Sequence, residues 1–94
     1  KQINDKNYNL YQSETKEIVI KNGITEIGSM GLFMKWNSLA KITIPSTIKT
    51  IGNYTFSNCK QLQTVLFEQN SELETIKDFA FQNCNKLKTK DGKI

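Results

Sequence analysis

The chain has 94 residues, 37% hydrophobic and 23% charged, with 13 Lys+Arg against 9 Asp+Glu, a formal net charge of +4 and no His. That composition fits one ordinary folded domain or a piece of a longer array, neither disordered nor fibrous. Every basic residue is Lys; without the planar guanidinium fork that grips phosphates and guanine edges, no nucleic-acid partner is expected, and the basicity reads as solubility.

Residues 1–16 are polar, with Gln2, Asn4, Asn7, Asn9 and Gln12, yet Ile3, Tyr8, Leu10 and Tyr11 give them something to bury. They are read as a divergent N-terminal coil or cap. From residue 17 a frame repeats. Ile18-Val19-Ile20 returns as Ile42-Thr43-Ile44 and Val65-Leu66-Phe67, and Ile24-Thr25-Glu26-Ile27 returns as Ile48-Lys49-Thr50-Ile51 and Leu73-Glu74-Thr75-Ile76. Phe33, Phe56 and Phe81 then each lead to an apolar residue three places on (Trp36, Cys59, Cys84) and to Leu39, Leu62 and Leu87 three beyond that. Self-similarity at this period means units that bury their apolar side only against a neighbour.

Within each unit the first stretch alternates and is β-branched, so it is expected to be a short strand. Pro45 ends it in the middle unit, because proline cannot donate to a ladder. Ile48–Ile51 is a second extended or turn-like side, closed by Gly52, which permits left-handed backbone angles. The spacing of three at Phe56, Cys59 and Leu62 suits a short 3₁₀ or α turn. The expected fold is therefore an α/β solenoid, a short stack of about three coils with one short strand and one 3₁₀/α turn per coil. Its repeats fall at 17–39, 40–62 and 63–87, and residues 89–94 form a tail or partial repeat. One extra residue lies in Gly28-Ser29-Met30-Gly31-Leu32, and two lie between Phe67 and Leu73, as surface-loop insertions.

The run from Lys41 to Leu62 (strand Ile42-Thr43-Ile44-Pro45, then Ile51-Gly52, then Phe56-Ser57-Asn58-Cys59-Lys60-Gln61-Leu62) resembles the BspA-type leucine-rich repeat, and Phe79-Ala80-Phe81-Gln82-Asn83-Cys84-Asn85-Lys86-Leu87 is similar to its last part. Trp36 stands where Cys is usual, and Glu68 and Lys77 replace the Pro and the Gly in the last repeat. The resemblance implies a module of surface proteins of bacteria and parasitic protists, associated with adhesion.

Cys59 and Cys84 occupy the same position in neighbouring units, roughly 5 Å apart by strand spacing and within disulfide reach. With no His to complete a metal site or to act as a base, they read as small buried apolar residues, with a bridge as the alternative. Asn37, Asn58 and Asn83 are assigned to corners, where an amide satisfies backbone groups. Asn53-Tyr54-Thr55 is a formal glycosylation acceptor with meaning only in a secreted protein. Glu72, Glu74 and Asp78 read as a solvated face rather than an acid–base pair.

Since the Ile-x-Ile pair points inward, the middle residue points out. Val19, Thr43 and Leu66 should form one outward column, with Lys41 and Thr64 on one flank and Lys21 and Glu68 on the other. These seven residues are the candidate site for a protein partner. No cofactor, metal, catalytic residue or enzyme activity is expected. End-to-end or edge contacts are a second route to a partner. No stretch reaches the roughly 20 apolar residues of a membrane span, so no membrane insertion is expected. A cell-surface or extracellular location is expected, with a cytoplasmic assembly as the alternative. As the chain begins at Lys1, a removed leader or an upstream region stays open.

Overall fold

The structure is a computed structural model and describes residues 12–28 and 30–87. The expectations for residues 1–11 and for the tail 89–94 lie outside the described residues.

Among the described residues six strands follow one another in the order β1 (Glu17–Val19), β2 (Glu26–Ile27), β3 (Lys41–Ile44), β4 (Thr50–Ile51), β5 (Thr64–Phe67) and β6 (Thr75–Ile76). They form two parallel sheets, β1-β3-β5 and β2-β4-β6. The register follows the sequence repeat: Ile18 pairs Ile42 and Ile42 pairs Val65 in the first sheet, and Ile27 pairs Ile51 and Ile51 pairs Ile76 in the second. Each pass of the chain thus carries two short strands rather than the one expected, because the Ile-x-x-Ile stretch pairs sideways as well. The arrangement is strand-rich, parallel and in register, and it fits a repeat solenoid.

The third side is not the expected 3₁₀ or α turn. In the middle pass i→i+3 bonds run Thr55 N to Gly52 O, Ser57 N to Tyr54 O, Cys59 N to Phe56 O and Leu62 N to Cys59 O. The intervening amides are used laterally: Tyr54 N donates to Asp78 O, Phe56 N to Ala80 O and Asn58 N to Gln82 O. The pass before repeats this, with Gly31 N, Phe33 N and Lys35 N donating to Asn53 O, Thr55 O and Ser57 O. A 3₁₀-helix would commit every amide to its own segment. Here, alternating amides cross to the next pass, and a chain of β-turns results.

That alternation needs left-handed residues. Gly31, Tyr54 and Phe79 have φ of 68°, 59° and 61°, and Lys35, Asn58 and Asn83 have 65°, 61° and 60°. The two triplets fall at matching positions in the three passes. Gly52, although it permits such angles, has another task. A Cβ there would stand 2.8 Å from the Ile27 carbonyl oxygen and 3.1 Å from that of Gly28, so glycine is needed for close approach of two passes.

The core lies between the three sides. Trp36, Leu39, Ile42, Ile44, Ile48, Ile51, Phe56, Cys59 and Leu62 are fully enclosed. Phe33, Phe56 and Phe81 stack face to face, with centroids 5.5 and 5.2 Å apart, and Trp36 meets Phe33 edge-on at 5.0 Å. Enclosure is greatest in the middle pass and falls towards β6, where Ile76 is 37% exposed against 0% for its register mate Ile51. Ahead of β1, Lys16 O accepts from Ala40 N and Lys41 N, as Ala40 O accepts from Gln63 N and Thr64 N, so the repeat frame already holds at residue 16.

Candidate binding face

The sheet β1-β3-β5 owes its outward side to alternation: Ile18 and Ile42 turn inward, so the residues between them and their successors turn out. Register pairs Val19 with Thr43 and Thr43 with Leu66. Val19 is 63% exposed and Leu66 46%, but Thr43 only 8%. The short threonine between two larger side chains lies at the bottom of a shallow trough with aliphatic rims.

On one flank Glu17, Lys41 and Thr64 are in register. The Lys41 ammonium lies 3.9 Å from a Glu17 carboxylate oxygen, both side chains about half exposed. On the other flank, just past the strands, Lys21 and Glu68 are exposed on either side of Pro45, whose side chain is buried. Among the described residues neither Lys21 nor Glu68 has an ion-pair partner. Six of the seven candidate residues therefore reach solvent, and Thr43 is the one that is covered.

The thiols are free. Cys59 Sγ donates to Phe33 O at 3.0 Å and Cys84 Sγ to Phe56 O at 3.1 Å, each reaching one pass back. Burial pushes the Cys59 thiol up to about 12 and raises that of Cys84, which is half buried at the β6 end. A thiol held neutral in this way packs and donates; it is a poor nucleophile or metal ligand.

The corner amides bond to one another more than to the backbone: Asn83 Nδ2 donates to Asn58 Oδ1 at 2.9 Å and Asn58 Nδ2 to Ser57 Oγ at 3.3 Å. Thr55, of the glycosylation triplet, is buried and donates to Gly52 O at 2.8 Å. Glu72, Glu74 and Asp78 are all exposed, as expected of a solvated face. A shallow depression of about 350 Å³ lined by Gln63, Asn85, Lys86 and Leu87 contains one charged side chain, that of Lys86, bonded to Gln61 Oε1 at 2.7 Å.

Sequence reasoning missed the stacked pair of Tyr54 and Phe79, with centroids 5.1 Å apart and Phe79 53% exposed. Its only signal was the repeat alignment, since aromatic residues rarely hold a left-handed backbone.

The in-register parallel strands, the stacked phenylalanines and the thiols reaching one pass back belong to a leucine-rich repeat. The chain is a member of the BspA-type leucine-rich repeat family: the model of that repeat region matches residues 1–91 in six copies. The match extends ahead of β1, over residues 1–16. No curated protein matches the chain, and no solved structure does. The family is one of repeat modules for protein interaction, and no helix among the described residues is long and apolar enough to cross a membrane.

Proposed function

We propose that the chain is a non-enzymatic protein-binding module, about three coils of an open solenoid, that presents the outer side of β1-β3-β5 to a protein partner. The contact residues are Val19, Lys21, Lys41, Thr43, Thr64, Leu66 and Glu68, and the setting is adhesion at the cell surface. The observation that carries this is the pair of exposed aliphatic side chains, Val19 and Leu66, on an otherwise polar rigid sheet. Burying such groups is favourable when a partner covers them, and the strand ladder fixes their spacing beforehand.

Leu66→Lys tests it. The exposed site should tolerate the lysine with an unchanged circular dichroism spectrum, while affinity for the partner isolated from the native source falls by about tenfold, as for a central apolar contact. Unchanged affinity, or an unfolded variant, would overturn the assignment.

A second reading, a structural subunit of an intracellular assembly held by its strand face and ends, is favoured by the half-exposed β6 end, where Ile76 and Phe79 reach solvent. Phe79→Lys should then abolish assembly while leaving Leu66-dependent binding intact.

A further inference from the structure

The face proposed above as the binding surface is self-complementary, and we infer that its occupant is a second copy of this chain, docked face to face across a two-fold axis that runs along the strand direction through Thr43. The inference rests on that reading of the face and adds the chemistry of the partner.

Only Lys21 and Glu68 on this side bear charges without an ion-pair partner among the described residues, because Glu17 and Lys41 compensate each other at 3.9 Å. The two lie just past opposite outer strands, two strand spacings or about 10 Å apart at the backbone, and they make no ion pair with each other. The rotation brings strand β1 of one copy over β5 of the other. Lys21 then faces Glu68 of the second copy, and Glu68 faces its Lys21. Val19 and Leu66, the two aliphatic rims, likewise meet each other twice. Thr43, 8% exposed and recessed, sits on the axis and keeps the centre clear for the rims to touch. An isologous contact needs such a patch, in which each feature finds its complement by rotation.

The other two-fold, running across the strands, would set Lys21 against Glu17 of the second copy, already paired with Lys41, and Glu68 against the uncharged Thr64, so it leaves Glu68 without a complement. One like-charge contact remains in the proposed arrangement, Lys41 against its own copy near the axis, with a Glu17 on each side to compensate. Three strands of three or four residues, about 5 Å apart, present a smaller patch than the roughly 800 Å² per partner of a stable interface. The dimer is therefore weak, with Kd on the order of 0.1–1 mM, and forms where copies are concentrated, as on a crowded surface.

Sedimentation velocity of the full chain in low salt, over about 20 µM to about 1 mM, tests it by charge exchange. Wild type should shift towards dimer with concentration, and added salt should reverse the shift. Lys21→Glu and Glu68→Lys should each weaken association about tenfold, since each places like charges together at both symmetric contacts. The double variant K21E/E68K should restore it. A strictly monomeric wild type, or a dimer insensitive to the single exchanges, would overturn the inference. So would a dimer abolished by Phe79→Lys but not by Leu66→Lys. Loss of affinity for the native-source partner in Leu66→Lys is read separately, so failure of self-association leaves that reading standing and the two outcomes are distinguishable.

Discussion

Tyr54, Asn58, Phe79 and Asn83 all hold φ near +60°, a conformation that carries a penalty of roughly 1–2 kcal/mol for most side chains. Asn tolerates it through local hydrogen bonds, and Asn58 adds the ladder bond to Asn83. Asn58→Ala should therefore destabilise by about 1–2 kcal/mol, and Asn58→Gly by less, since glycine relieves the backbone and loses only the amide; chemical denaturation of the two variants checks the order. Gly52→Ala should cost about 1–3 kcal/mol, because the new methyl would press on the Ile27 carbonyl oxygen at 2.8 Å.

The Cys59 thiol adds a pH dependence. Its folded value of about 12 lies above the ordinary 9.0, so from pH 9 upward the unfolded chain gives up the proton while the folded chain keeps it. The unfolded state then binds fewer protons and stability falls as pH rises through that window. Thermal melts between pH 8 and pH 11 should show the fall, and a thiol reagent should reach Cys84 before Cys59 in the folded protein.

At the scale of elements, the strands were legible because β-branched alternation and a fixed step leave little freedom: Ile42-Thr43-Ile44 paired in the register that the repeat dictates. The second sheet was half legible, since Ile48–Ile51 announced a side of the unit but two-residue strands have no periodicity of their own. The turn side was misread. A spacing of three at Phe56, Cys59 and Leu62 is shared by a 3₁₀-helix and by successive β-turns, and what separates them is whether alternate amides find carbonyls on a neighbouring pass, which no single unit encodes. The binding column was legible as alternation, but the covering of Thr43 was not, because it depends on the sizes of Val19 and Leu66 on the strands beside it. The same logic places Leu66→Lys as tolerated and Phe56→Ala as costly, about 3–5 kcal/mol for an enclosed aromatic between two stacked rings.

For the whole molecule, nearest-neighbour stacking makes stability a sum over units and their contacts. The middle pass is covered on both sides and the β5–β6 pass is half exposed. Phe81→Ala should thus cost less than Phe56→Ala, because a ring that is only partly buried forfeits less burial. Hydrogen exchange should show the amides of β6 opening before those of β3, as units with fewer buried contacts open first.

On the turn side, each amide that leaves its own pass is received by a carbonyl of the next, always in the same direction along the stack. A pass therefore presents donors to its successor and acceptors to its predecessor, and any unit keeping that polarity can be spliced between two others. A tandem in-frame duplication of residues 40–62 would meet both requirements at once, whereas a reversed or truncated insert would meet neither. For a gene built this way, length is the parameter most easily changed.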